Sequence, residues 1–302
     1  MRDAGKIAGF CLLCFIWGST WLAIKVGYGG LGPFTVAALR FAIAALILSA
    51  IVPMVGARWP RGRSEWTLVL VVGLLLFGGD YGLIYWAEQY IDSGLTAILF
   101  GTFPLMTMLA AHFYVPGEQF TAKKTAGGLL AFAGVVTLFG DRLNVNAKAA
   151  LPMVAVIGAV ICAAVSNVAL KRHGQHIHSA SQNAATTIVG TIVLFLLALI
   201  AGEPLRLPPD LASWAAVGYL SIVGSVVAFL IYFSLLKTWD ATTVSFFAVF
   251  TPIVAIVLGS VFLHERLSSW GVGGSALIVI GVALTLVRAK PSGRPRAAGS
   301  GV

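Results

Sequence analysis

Charge is what this chain has least of. Asp, Glu, Lys and Arg together make up 10% of its 302 residues, against about 25% in soluble domains. So few charges cannot clothe a water-exposed surface, and a soluble globular fold is excluded. Acids are the scarcer sign, 11 against 20 Lys and Arg. In a soluble protein that surplus would point to nucleic acid, but here the basic residues fall between apolar runs, where they read as topology signals. No nucleic-acid partner is expected. Cysteine is scarce as well, with Cys11, Cys14 and Cys162 alone. The first two are spaced C-x-x-C inside an apolar run without further Cys or His ligands, so they read as small buried residues and not as a redox or metal pair. The motifs G-x-S-x-G and H-E-x-x-H are missing, which argues against an intramembrane enzyme and calls for neither cofactor nor metal. A membrane sensor would need an output domain, and no stretch is polar enough to form one.

What fills the chain instead is apolar: 59% hydrophobic residues and a mean hydropathy of +0.94. Ten stretches reach the length of about 20 residues that spans a bilayer, at 7–26, 33–55, 67–87, 94–115, 122–140, 149–171, 181–202, 213–236, 242–263 and 268–288. Hydrocarbon offers no water to backbone groups, so each run must satisfy its own and is expected to be a helix. The expected fold is an all-α integral membrane protein of ten transmembrane helices. The first run has no A-x-A-like cleavage site and reads as an uncleaved span. If the N-terminus is cytoplasmic, most basic residues, among them Arg58, Arg61, Arg63, Lys123, Lys124, Lys171, Arg172 and Lys237, fall on that side with both termini. Residues 289–302, rich in Pro, Gly, Arg and Ala, read as a disordered basic cytoplasmic tail.

The chain is also written twice. FIWGSTWLAIK at 15–25 is answered by ICAAVSNVALK at 161–171, so that Thr20 and Trp21 meet Ser166 and Asn167. Thr102-Phe103-Pro104 matches Phe250-Thr251-Pro252, Glu118 matches Glu265, and Gly127 and Gly134 match Gly274 and Gly281, all at offsets near 147. Five spans per copy is an odd number, so residues 1–145 and 146–288 are expected to form inverted-topology repeats.

Ionisable groups in hydrocarbon are functional candidates by default. Arg40 and Asp80 each lie roughly 10 Å below the outer surface at about 1.5 Å per residue, at matching depth, and could pair. Asp80 would meet a substrate ammonium or a proton, and Arg40 would hold Asp80 or meet a carboxylate; a purely structural ion pair is the alternative. His112 sits near the cytoplasmic end of its helix and reads as interfacial. Trp17, Thr20 and Trp21 with Tyr81 and Tyr85 could wall a cavity, although an interfacial aromatic belt also accounts for Tyr85. Ser166, Asn167 and Ser245 add polar groups from the second copy. Pro104 and Pro252 should kink their helices and free a carbonyl each, as candidate hinges. Gly127, Gly134, Gly274 and Gly281 allow close helix approach, internally or at a homodimer face; a monomer is the default. Three imidazoles at His173, His176 and His178 read as a solvated loop. Glu118 and Glu265 lie at helix exits, Glu118 close to Lys123 and Lys124, where interfacial anchoring and helix-end pairing account for them.

Taken together, these residues resemble the drug/metabolite transporter superfamily, in its ten-helix branch with two EamA domains. The likeness rests on Trp17-Gly18, Lys25, Arg40, Pro104, Glu118 and Gly127 and Gly134, with Pro252, Glu265 and Gly281 in the second copy, and covers the chain to about Val287. It implies a secondary transporter working by alternating access on a small-molecule substrate, often a bacterial inner-membrane exporter of amino acids, the aromatic amino-acid type among them. A multidrug or sugar-derivative permease is the alternative within the superfamily. The copies differ: Ala163-Ala164 stands where Trp17-Gly18 stands in the first, and Thr186 where a second Arg40 would be expected.

Overall fold

The computed structural model describes residues 2–91, 93–118, 121–139, 149–262 and 269–286. Glu265, the residues joining the two copies and the tail 289–302 lie outside the described residues, as do the side chains of Trp21 and Lys25. The described residues are helical, with no strand among them. We number the helices α1 (Arg2–Tyr28), α2 (Pro33–Met54), α3 (Gly62–Ala87), α4 (Ser93–Phe100 continuing as Phe103–Tyr114), α5 (Ala122–Phe139), α6 (Ala150–His173), α7 (Ser179–Ile200), α8 (Leu211–Leu236), α9 (Ala241–Ser245 continuing as Phe247–Phe262) and α10 (Ser269–Leu286). By length and composition α2, α3, α4 from Leu95, α6, α7 and α8 are able to cross a membrane, and Ala4–Thr20, Ala241–Val254 and Ser269–Thr285 are shorter apolar helices.

Helix ends are set by side chains that satisfy the first free N–H groups. α2 begins at Gly32-Pro33, with proline in the first turn where no donor is needed. Its next two amides, Phe34 and Thr35, donate to the Glu203 carboxylate at 3.1 and 2.7 Å. Asp210 accepts from Ser213 N at 2.8 Å at the start of α8, and that N–H holds its carboxyl below the usual range. His178 Nδ1 accepts from Ala180 N at 3.2 Å at the start of α7. The neighbouring His176 reaches Glu65 at 3.2 Å, and Glu65 also binds Arg58 at 2.6 Å. The sequence shows no carboxylate near these histidines; the fold brings one from the α2–α3 corner.

Packing pairs α2 with α7 and α5 with α10, while α1 lies against α8 and α9, and α6 against α3 and α4. The α5–α10 contact is the tightest. A Cβ added at Gly127 would meet Gly281 O at 2.5 Å, and one added at Gly274 would meet Gly134 O at 2.6 Å. All four glycines anticipated as a packing face are thus turned inward on one another. Two helices depart from α geometry where they cross the core: α3 is π-helical over Gly73–Asp80 and α8 over Ile222–Val227.

The two prolines behave differently from the expected pair of kinks. Pro104 does not bend a continuous helix; α4 stops at Gly101-Thr102, and Pro104 sits in the first turn of the new segment, where its missing N–H costs nothing. Pro252 lies within Phe247–Phe262. Its missing donor leaves Ala248 O to the Thr251 hydroxyl at 3.2 Å.

Because the atoms met at Gly281 are backbone of α5, no side-chain rotation relieves a clash there. Gly281→Leu is expected to destabilise the protein by about 1–3 kcal/mol or more, read as a lower thermal midpoint in detergent, while a control at an exposed position, Val279→Leu, leaves the midpoint unchanged.

Candidate functional site

A buried cavity of about 80 Å³ lies where seven helices converge. Trp17, Thr20 and Ile24 reach it from α1, Arg40 from α2, and Leu76, Asp80, Tyr81, Ile84 and Tyr85 from α3. Phe100 and Phe103 close it from α4, Ala163 from α6, Phe229 and Tyr232 from α8, and Phe247 and Thr251 from α9. The walls are chiefly aromatic. Trp17 packs on Phe247 at 4.3 Å, Phe229 at 5.3 Å and Tyr232 at 5.4 Å between ring centroids. Such contacts orient the rings edge to face and add to the burial of their area.

Two ionisable groups share this apolar space. Arg40 is 1% exposed, and its partners are neutral: Nε donates to Ser225 Oγ at 2.9 Å, Nη1 to the Tyr85 hydroxyl at 3.2 Å, and Nη2 to Gly224 O at 3.2 Å. Its Cζ lies 4.9 Å from the Phe41 ring centre and 5.1 Å from that of Tyr81, within cation–π range. The same Gly224 carbonyl accepts from Trp17 Nε1 at 3.1 Å.

The π-helical turn of α8 makes this meeting point. A π turn is wider than an α turn and lets outside donors reach its carbonyls. Ser225 Oγ bonds back to Leu220 O, five residues earlier, at 2.9 Å, which turns its lone pairs to Arg40. Gly224 also has to be small: a Cβ there would meet Thr20 at 3.1 Å and Arg40 Nη2 at 3.4 Å.

Asp80 is 4% exposed, and its Oδ1 has no hydrogen-bond partner. Among the described residues no salt bridge joins it to Arg40. The ion pair suggested by matched depth is therefore not formed, because α8 and Tyr85 already engage the guanidinium. Both groups line the cavity all the same.

The remaining anticipated residues divide. Trp17, Thr20, Tyr81 and Tyr85 line the cavity, with Thr20 Oγ1 bonded back to Trp17 O at 2.7 Å. Ser166, Asn167 and Ser245 are buried but lie outside its lining. Ser245 bonds back to Thr242 O at 2.7 Å, Ser166 Oγ has no partner, and Asn167 bonds Tyr232 and Ala241. Glu118 is 6% exposed and accepts from Ala241 N at 2.7 Å, so the helix end it pairs with is the start of α9. A helix N-terminus favours an anion, and Lys124 pairs instead with Asp240 at 3.4 Å.

Phe100, Phe229, Tyr232 and Phe247 are wall residues that the motifs do not single out. Three of them fall in pairs through the duplication: Tyr232 answers Tyr85 and Phe247 answers Phe100, each 147 residues apart. The aromatic lining thus draws on both copies, not on the first alone as the tryptophans suggest.

Residues 5–140 and 150–287 each match the family described as the EamA-like transporter family. A protein of Escherichia coli (strain K12), called an uncharacterized inner membrane transporter, YedA, is 30% identical over 289 residues, covering 92% of this chain and 91% of its own. The uncharacterized transporter YoaV of Bacillus subtilis (strain 168) is 26% identical over 276 residues, 91% and 94% of the two chains. A crystal structure of a protein 22% identical in sequence superposes with a TM-score of 0.81 over 94% of this chain and 96% of that one, which shows the fold.

Arg40→Lys keeps the charge but loses the forked donors that bridge Ser225, Tyr85 and Gly224. It is expected to cost about 1–3 kcal/mol, more than Trp17→Phe, which gives up one hydrogen bond to Gly224. Thermal unfolding of the two purified variants in detergent checks the order.

Proposed function

Since this membrane protein belongs to the EamA-like transporter family, we propose that it is a secondary transporter that exports amino acids or related small zwitterionic metabolites across the bacterial inner membrane. In this reading the ten helices all span the bilayer, as two inverted five-helix repeats, 1–145 and 146–288, with both termini cytoplasmic. The halves rock about the cavity, which opens to one side at a time. The inner-membrane setting is supported by the relative of that description in E. coli.

The observation that carries the proposal is Asp80 Oδ1, buried without a hydrogen-bond partner on a residue that lines the same cavity as Arg40. A buried polar atom without a partner costs free energy, and ionising a carboxyl there costs more unless a cation accompanies it. A substrate ammonium at Asp80 would offset that cost. A guanidinium has five N–H groups; Ser225, Tyr85 and Gly224 engage three and Tyr81 also interacts with the group, so a substrate carboxylate would be met by what remains or in exchange for a tyrosine hydroxyl. The rings of Trp17, Phe229, Tyr232 and Phe247 then receive the substrate's apolar part. Thr20 and Tyr81 are the hydroxyls nearest to hand on the same walls.

A second reading has its own support. The same aromatic walls beside a single carboxylate also suit a lipophilic cation, held by ring faces and Asp80 without help from Arg40. That would make the protein a multidrug permease.

Counterflow in proteoliposomes, with labelled amino acids in parallel with lipophilic cations and nucleotide sugars, separates the two. Wild-type exchange of one or more amino acids is expected, with Asp80→Asn at least about tenfold slower, the equivalent of one charge-assisted hydrogen bond. Full-rate exchange by Asp80→Asn would refute the placement, and exchange of cations with indifference to every amino acid would favour the second reading. Repeating the assay with and without a proton gradient tells proton-coupled exchange from facilitated diffusion.

A further inference from the structure

Asn167 lies outside the cavity, yet both ends of its amide are engaged. Oδ1 accepts from the Tyr232 hydroxyl at 2.9 Å, and Nδ2 donates to the Ala241 carbonyl at 3.1 Å. These partners fix which way the amide points, because a carbonyl can receive only the NH2 end. Asn167 is fully buried and Tyr232 is 2% exposed, so water does not compete for either bond.

Each partner leads somewhere. Tyr232 is a wall of the cavity and packs on Trp17 and Phe247. Ala241 opens α9, and its own N–H donates to Glu118 Oε1 at 2.7 Å, where the chain leaves α4. Thr242 adds its N–H and hydroxyl to the same carboxylate, both at 3.4 Å. Tyr232, Asn167, Ala241 and Glu118, from α8, α6, α9 and the exit of α4, therefore form one hydrogen-bonded line from the cavity to a helix end. α6 reinforces the line at the α8–α9 corner, where Lys171 Nζ donates to Leu236 O at 2.9 Å and Trp239 O at 2.8 Å.

We propose that Asn167 is a positioning residue that transmits the state of the cavity to the α4–α9 end of the molecule. An occupant that draws the Tyr232 hydroxyl to itself releases Oδ1, the amide loses its fixed orientation, and its hold on Ala241 weakens. The clasp of Glu118 on the first turn of α9 then loosens. Placing an occupant in the cavity rests on the transport reading above, whereas the line of bonds does not. In a transport cycle this is the step by which loading the site unlocks one end.

Spatial continuity alone does not establish coupling; a double-mutant cycle does. The readout is hydrogen–deuterium exchange at the Ala241 and Thr242 amides in the purified, ligand-free full chain. Tyr232→Phe, which keeps the ring and removes the hydroxyl, is expected to speed both amides about fivefold to tenfold, the worth of one hydrogen bond. In an Asn167→Leu background the same change is expected to add nothing, and amides in the middle of α7 should not move in any variant. The proposal is overturned if Tyr232→Phe leaves the two amides unchanged, or if it speeds them equally with and without Asn167, since the effect would then pass through ring packing on Phe247. Should Asn167→Leu fail to fold, Asn167→Ser completes the cycle. With no ligand added, the outcome is independent of substrate: lost coupling with intact amino-acid counterflow strikes this inference alone, and intact coupling without counterflow strikes the substrate reading alone.

Discussion

A guanidinium buried in hydrocarbon without a carboxylate to pair with is the constraint around which the cavity is arranged. Arg40 meets it with neutral groups: a hydroxyl on α3, a hydroxyl and a carbonyl on α8, and two aromatic faces. Those partners tie α2 to both helices whose central turns are π-helical. Trp17 joins at the same carbonyl, so α1 is drawn in as well. The positive charge is held by dipoles and not by an anion, and Asp80 Oδ1 has no hydrogen-bond partner.

Four other acids among the described residues hold helix beginnings and corners. Glu203 holds the first turn of α2, Glu118 that of α9 and Asp210 that of α8, and Glu65 ties Arg58 and His176. Two of these, Glu118 and Glu203, reach across from one copy of the sequence to the other. A carboxylate at a helix N-terminus gains from the orphaned N–H groups and the helix dipole together, and in a low-dielectric setting such bonds strengthen. Each is a small set of bonds at one place. By contrast the α5–α10 contact is backbone against backbone at four glycines.

How much of this could be read beforehand differs by residue. Trp17, Thr20, Arg40, Asp80, Tyr81 and Tyr85 stand out as polar or aromatic residues inside apolar runs, and all six line the cavity. Asn167 stands out for the same reason but does its bonding one layer behind. Phe229 and Phe247 are ordinary apolar residues in apolar helices; nothing local separates a wall of the cavity from a wall of the core. Glu118 reads as an anchor because its sequence neighbours are lysines, while its partner in space is an amide more than a hundred residues away.

The sequence by itself determined that the chain is helical and where its helices run, because in hydrocarbon each segment must satisfy its own backbone and the hydropathy pattern records that locally. Only the tertiary structure decided who holds Arg40. A π turn shifts one hydrogen-bond register by a single residue without altering composition or hydropathy, and that shift sets the Gly224 carbonyl and Ser225 before the guanidinium. The expected Arg40–Asp80 pair, plausible from depth alone, gives way to it, because depth is a property of each helix and pairing is a property of how the helices meet.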